Sequence, residues 1–223
     1  PWGNSTATLR WNHVFSKRIF ANTSLIYNDY RFAFGASENN FDINLASGIK
    51  DVNAKMDFDY FASLHHHIQV GFNYIYHTFQ PSTASGKSGD MAFTPDNALK
   101  KYAHEAAAYL LDDYTVSPKL KINIGLRYSF FQQVGPSLQY TRDAPGNKTD
   151  STVYGSLQPV RTYGGPEPRV IFRYALSDMS SLKGGITRNL QYIHLVSNAG
   201  TTLPTDLWVP STYKVRPQSA WEY

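Results

Sequence analysis

Residues 51–60, DVNAKMDFDY, alternate without a slip. Asp51, Asn53, Lys55, Asp57 and Asp59 fall on one side of an extended chain, and Val52, Ala54, Met56, Phe58 and Tyr60 on the other. A soluble half-buried strand turns such an apolar row to a protein core, whereas a membrane-barrel strand turns it to lipid and its polar row to a lumen. The same period of two recurs at 4–15, 19–34, 48–61, 66–80, 101–116, 119–132, 167–176 and 181–196. Most of these segments exceed the about 5 or 6 residues of an ordinary strand and reach the about 9 to 11 that cross a bilayer at a tilt. SAWEY, 219–223, reads as the start of a further strand.

The connections alternate in kind. SKR (16–18), ASLH (62–65), SP (117–118) and SDMS (177–180) predict tight turns. Between them lie long stretches rich in Gly, Ser, Pro, Asn and Thr at 35–47, 81–100, 133–166 and 197–218, which predict loops. Long loops at one end and short turns at the other are the habit of outer-membrane barrels. Residues 100–114, KKYAHEAAAYLLDDY, have the Ala, Leu and Glu content of a helix, but pairing with 119–132 across the two-residue turn requires a strand.

The faces of the other hairpins agree. Ile122, Ile124, Leu126 and Tyr128 oppose Lys121, Asn123, Gly125 and Arg127, and Ile68, Val70, Phe72, Tyr74 and Tyr76 oppose Gln69, Gly71, Asn73 and His77. A charge facing lipid near the midplane costs about 2 to 4 kcal/mol, so the polar row must face a watery interior or another protein part. Asp51, Asn53, Lys55, Asp57, Asp59 and Arg127 are therefore expected to face a lumen.

Composition sharpens this. The 223 residues include 16 Tyr and 13 Phe, which favour pleated sheet, and the mean hydropathy is −0.40. The longest uninterrupted apolar run, Ala106–Leu111, is far short of a spanning helix. There is no cysteine, which removes disulfide scaffolds, thiolate metal sites and cysteine nucleophiles. The net charge of +4 is spread in single residues and pairs such as Lys17-Arg18, without the clustering of a nucleic-acid footprint. The start, Pro1-Trp2-Gly3, has no basic or apolar leader features, so the expectation is that a leader was removed or that the sequence begins inside something larger.

No enzyme motif, cofactor signature or metal cluster emerges. His65, His66 and His67 are adjacent, but neighbours in an extended chain diverge to opposite faces, so a turn entering a strand outweighs a metal site. Asp51, Asp57 and Asp59 sit at spacings that suit acid/base or calcium chemistry, yet no nucleophile accompanies them and a solvated wall explains them. Asp112 and Asp113 read as the foot of a strand, and SGKSG (85–89) lacks phosphate-loop spacing. The 197–218 loop joins Asp206, Trp208, Tyr213 and Lys214, flat apolar surface beside charge, as ligand-recognition loops do. Asp206, Trp208 and Tyr213 are thus candidate ligand contacts, with packing of Trp208 against its neighbours as the plainer alternative.

KLKINIGLRYSFF, EPRVIFRYALSDMSSLKGGITRNLQYIHLVSN and LPTDLWVPSTYKVRPQSA resemble the β-barrel of TonB-dependent outer-membrane receptors, in particular the type common in Bacteroidota. The resemblance covers essentially the whole chain and implies an all-β fold, an antiparallel transmembrane β-barrel of about 22 strands. Some eight strands of it would be present here, without plug domain or C-terminal strands, so that residues 1–223 form an internal part of the barrel. It further implies a bacterial outer-membrane location, import of a scarce extracellular nutrient, contact with lipid and, through the missing plug, with the TonB complex. A SusD-like lipoprotein partner is compatible with it; catalysis and nucleic-acid binding are not expected. Two alternatives stay open: a complete eight-stranded outer-membrane barrel with a structural or adhesive role, and a lipocalin-like carrier with its apolar rows turned inward.

Overall fold

The computed structural model describes residues 2–38, 41–88, 91–93, 100–196 and 207–223. Every regular element among them is a strand: β1 (Trp2–Ser16), β2 (Ile19–Glu38), β3 (Phe41–Phe61), β4 (His66–Ser88), β5 (Met91–Phe93), β6 (Lys101–Thr115), β7 (Leu120–Val134), β8 (Ser137–Arg142), β9 (Lys148–Tyr154), β10 (Pro159–Ser177), β11 (Ser180–Gln191), β12 (Ile193–Val196), β13 (Leu207–Pro210) and β14 (Gln218–Glu222). One antiparallel sheet runs β1-β2-β3-β4-β6-β7-β10-β11-β14, with β5 against β4. β8–β9 and β12–β13 are separate two-stranded ribbons. Among the described residues β1 and β14 do not pair, so the sheet is open there.

Seven of the eight expected strands form over their length, the eighth, 181–196, only as far as Gln191, and 218–222 adds a further strand to the sheet. The helix-like stretch is strand β6. Unbroken ladders from His66↔Tyr114 to Phe79↔Lys101 on one side and from Tyr102↔Val134 to Thr115↔Lys121 on the other satisfy its backbone twice over, which outweighs the local preference of its alanines.

The short turns share one device. Ser16, Ser63, Ser117 and Ser177 each accept a hydrogen bond on the hydroxyl from the amide two residues on, at 3.2, 3.1, 3.3 and 3.3 Å. A serine hydroxyl closing its own turn takes the place of a ladder bond where the chain reverses.

The long connections are more ordered than their composition suggests. β2 and β3 stay in register from Ile19↔Tyr60 to Glu38↔Phe41, so most of 35–47 is ribbon rather than loop. β4 continues to Ser88, and 133–166 contains the end of β7, the β8–β9 hairpin and the first part of β10. Backbone ladders hold these residues whatever their side chains, which composition does not reveal. In the other direction, the expected strand 181–196 breaks at Tyr192: β11 ends at Gln191, and β12 leaves the sheet to pair with β13.

Register assigns the two faces. Val52 to Tyr60, Ile68 to Tyr76 and Ile122 to Phe130 share one face, on which Leu25, Val52, Val70, Phe72, Leu110, Leu126 and Ile186 stay exposed. The buried apolar cluster lies on the other, polar face, where Ile49, Phe79, Ala103, Phe131 and Tyr192 pack together with Trp208 and Ile193 of the β12–β13 ribbon against them. A soluble carrier would bury the first set; this fold leaves it outside.

Candidate functional site

The exposed apolar band is bounded by charge at both ends. At one, Arg31 donates to Asp29 from Nε (2.9 Å) and Nη2 (2.5 Å), and Lys50 lies 3.4 Å from the same carboxylate. The Arg31 guanidinium holds the Asp29 carboxyl below its ordinary range. At the other, His66 meets Asp112 at 2.7 Å and stacks on Tyr114 with ring centres 4.2 Å apart. Between these limits each strand offers an apolar stretch such as Val52–Tyr60 or Ile68–Tyr76, the length a tilted strand needs to cross a bilayer. Tyr74, Tyr76, Tyr102 and His104 cluster near its upper edge, with the Tyr74 hydroxyl 2.7 Å from His104 Nδ1. Aromatic rings with one polar tip suit such a boundary.

The opposite face curls around a hollow of about 830 Å³ lined from Asn53 and Lys55 on β3 to Glu222 on β14. Asp51, Asn53, Lys55, Asp57, Asp59 and Arg127 all lie on this face. On this face Asp51, Asp57 and Asp59 of β3 and Glu105 and Asp113 of β6 all have partners. Asp51 meets His77 Nδ1 at 2.7 Å, and the other His77 nitrogen lies 3.6 Å from Glu105. Asp59 accepts from Gln69 at 2.8 Å and lies 2.9 Å from His67 Nε2. Asp113 accepts from Asn123.

Asp57 carries the longest reach. Lys55 lies 2.9 Å from one of its oxygens, and Tyr109 donates to the other at 2.6 Å. Asp57, Gly71 and Tyr109 are register partners on β3, β4 and β6, so the phenol crosses the whole of β4 to arrive. Only glycine leaves it room: a Cβ at Gly71 would sit 2.2 Å from Tyr109 Cε1. The same row continues to Arg127 and Glu167, whose charged atoms are 3.5 Å apart. Glu167 also accepts from the Leu190 amide at 3.1 Å.

Farther along, β7, β10 and β11 carry Lys121, Arg169, Arg173 and Lys183 on this face, all exposed. Among the described residues none of the four has a carboxylate within 4.0 Å.

The β12–β13 ribbon covers the end of the face nearest Ile49 and Phe79. Tyr192 shares a 2.8 Å hydrogen bond with Ser129, Tyr163 donates to the Thr212 carbonyl at 2.7 Å, and His194 Nε2 lies 3.0 Å from Ser211. Burial lowers the His194 pKa, favouring the neutral ring. Trp208 packs against the cluster, and its indole Nε1 is buried without a partner among the described residues. Tyr213 is exposed, with Lys214 Nζ 5.6 Å from its ring centre. Asp206 lies outside the described residues. The structure thus brings the six polar-row residues together and sets Trp208 and Tyr213 apart, one packed and one open.

His65, His66 and His67 do not converge: His66 turns to Asp112 on the apolar face, His67 to Asp59 on the polar one, its ring stacked 4.3 Å from Phe61. Sequence reasoning missed the roles of Tyr109, His77, Glu105 and Glu167. Strict alternation hints at their side of the sheet, but which residues face each other depends on registers that no short stretch encodes.

Residues 1–211 match the family described as TonB dependent receptor-like, beta-barrel. Among solved structures the fold is similar to the copper transporter OprC (12% identity over 98% of this chain and 36% of that one, TM-score 0.66). It is also similar to the unliganded ferric citrate transporter FecA (13% identity, 84% and 27%, TM-score 0.59) and to BauA, the ferric preacinetobactin receptor from Acinetobacter baumannii (15%, 97% and 33%, TM-score 0.53). The chain thus spans about a third of the length of these relatives. A search of curated protein sequences returns no match.

Proposed function

Because the chain belongs to the TonB-dependent receptor β-barrel family, whose members sit in the outer membrane, we propose that it forms part of the wall of a receptor that binds a scarce nutrient and imports it. The polar face, with Asp51, Asn53, Lys55, Asp57, Asp59 and Arg127, lines the passage, and the opposite face meets lipid. The observation that carries this reading is the inversion of the sheet: large apolar side chains stay exposed along nine-residue bands, while charges line the hollow. Asp51, Asp57 and Asp59 are engaged by His, Lys, Tyr and Gln, which supports a binding wall rather than a catalytic site.

In the finer reading the receptor is of the Bacteroidota type, and this chain is an internal stretch of its barrel. Ten strands in one open sheet and a third of the length of its relatives support that over a closed eight-stranded barrel. The nutrient arrives from outside and contacts the 197–218 segment, where Asp206, Trp208 and Tyr213 are the candidate residues. Energy comes from the TonB complex through a plug region, and a SusD-like lipoprotein is a candidate partner. The solved relatives named for ferric citrate, copper and ferric preacinetobactin make a metal or metal chelate the first ligands to try.

The test uses the absence of cysteine. Single cysteines at 70, 72, 69 and 73 in outer membranes should split by parity. A lipid-soluble maleimide should label 70 and 72, and a charged, membrane-impermeant one should label 69 and 73. Labelling without parity would remove the membrane wall, and unchanged uptake of every metal chelate tried on deletion of the gene would remove metal import.

A further inference from the structure

We infer that the apolar face of the sheet, at its long-loop end, is a docking surface for the phosphorylated sugar headgroup of an outer-leaflet glycolipid. The inference rests on the proposal that this face meets lipid, and it adds the kind of lipid that is held there. Among the described residues, lysine and arginine occur on the apolar face of the sheet only at Arg31, Lys50, Lys87 and Arg188, all towards the long loops. Towards the tight turns the same face ends in Tyr60, Tyr114 and Tyr174, with His66 paired to Asp112. Lys17, Arg18 and Lys119 sit in the turns themselves, beyond the ends of the strands. One border of the apolar band thus presents cations to the neighbouring leaflet, and the other does not.

Arg31 and Lys50 are arranged around one carboxylate. Asp29 accepts from Nε and Nη2 of Arg31, and Lys50 lies 3.4 Å from it, so two cations share a single acid and the group keeps a positive excess. The Asp29 side chain is only 9% exposed, whereas Arg31 and Lys50 are 69% and 44% exposed, so the acid holds both cations in place while they face outward. Arg31 Nη1 has no partner among the described residues. Gly48 is the register partner of Arg31, and a Cβ there would meet the Tyr30 carbonyl oxygen at 2.7 Å. Beside it lies a dent of about 20 Å³ bordered by Arg31, Lys50, Thr78, Gln80 and Lys100, room for one oxygen-sized group and not for a free molecule.

The surroundings say what kind of molecule supplies that group. Lys50, Thr78 and Tyr102 are successive register partners, and Tyr27 and Tyr76 lie one step of the pleat below them on the same face. The guanidinium and ammonium groups suit phosphate, the hydroxyl of Thr78 and the amide of Gln80 suit sugar hydroxyls, and the tyrosines mark the level at which a headgroup begins. Cations at the border of an anionic leaflet draw its headgroups to them. The acyl chains of the same lipid would lie along the exposed Val52, Val70 and Phe72 below. A free anion lacks those chains and with them the apolar half of the contact, so the surface fits a lipid.

Native mass spectrometry of the protein extracted from outer membranes in mild detergent tests this, with a diphosphorylated diglucosamine lipid and its dephosphorylated form as probes. The diphosphorylated lipid should bind about tenfold more tightly, and the preference should shrink as ammonium acetate is raised. Arg31→Gln/Lys50→Gln should bring the two lipids to within about twofold of each other. Lys148→Gln, on the outlying β8–β9 hairpin, should change nothing. Asp29→Asn frees both cations without removing either and should tighten binding about threefold, a gain that a folding defect does not imitate. Equal affinity for the two lipids, an equal loss in Lys148→Gln, unchanged or weaker binding in Asp29→Asn, or equally tight binding of phosphatidylglycerol or of pyrophosphate alone would overturn the inference. Cysteines at 70 and 72 that resist the lipid-soluble maleimide would remove the lipid-facing reading itself, whereas labelled cysteines without a phosphate preference would remove the glycolipid surface alone.

Discussion

The two halves of the polar face solve the same problem in opposite ways. On β3, β4 and β6 four aspartates and Glu105 are met by imidazoles, an ammonium, an amide and a phenol, so that each charge finds its counterpart inside the sheet. On β7, β10 and β11 only Arg127 has a matching acid, Glu167, and five further cations, Lys121, Arg161, Arg169, Arg173 and Lys183, have none among the described residues. Net charge is blind to this, because +4 spread over 223 residues looks unremarkable until register sorts it by strand. A face that is closed in charge is a structural wall; a face left open in charge is a place for something else.

The largest effect should come from cutting the closed half. His77→Ala leaves Asp51 and Glu105, both largely shielded from solvent, without the ring between them. A loss of about 3 kcal/mol is expected in urea unfolding from micelles, the range for an uncompensated buried charge. A loss under about 1 kcal/mol would mean that water already serves these carboxylates, and the contrast between the halves would shrink.

Next comes Gly71→Ala. The new methyl would collide with the Tyr109 ring, expelling it and breaking its bond to Asp57, for about 2 kcal/mol. Tyr109→Phe should recover the packing but not the bond and lose about half as much. Equal losses in the two variants would assign the whole effect to the hydrogen bond.

The open half should respond with the opposite sign. Lys121→Glu places an acid directly opposite Arg173 and is expected to stabilise the sheet by about 0.2 to 1 kcal/mol, less at high salt. Destabilisation would show that the row is already neutralised.

The smallest effect concerns pH at the ribbon. His194 has a folded pKa below its unfolded value, so between the two the unfolded chain binds a proton that the folded chain does not. The stabilisation it permits is therefore complete above about pH 6.5 and is lost as pH falls through the lowered folded value. Cysteine reporters on β13 should become more reactive over that window, and His194→Gln should flatten the change.

Much of this was legible in the chain, and the reasons differ by feature. The eight strands and the two faces follow from period-two alternation, which is local. The tight turns are visible because each contains the serine that closes it, Ser16, Ser63, Ser117 and Ser177. The ribbon extensions of β2 and β3 were hidden because Gly, Ser and Asn are held there by the backbone ladder of a partner strand, not by their own preference. The break at Tyr192 was hidden for the converse reason: QYIHLV continues the alternation, but Tyr192 turns to Ser129 and the Phe131 ring, 5.2 Å between ring centres, and takes the chain out of the sheet. The contrast between the halves needed every register at once.

Tyr109 also bears on how such a sheet aligns itself. Strands with uniform apolar rows can slide by two residues with every side chain still on its proper face, so hydrophobic pattern alone tolerates that error. The phenol does not: two steps either way it would meet Gln69 or Asn73 instead of Gly71. A single glycine beneath a single ring therefore works as a registration mark, distinguishing one alignment of three strands from its near-identical neighbours.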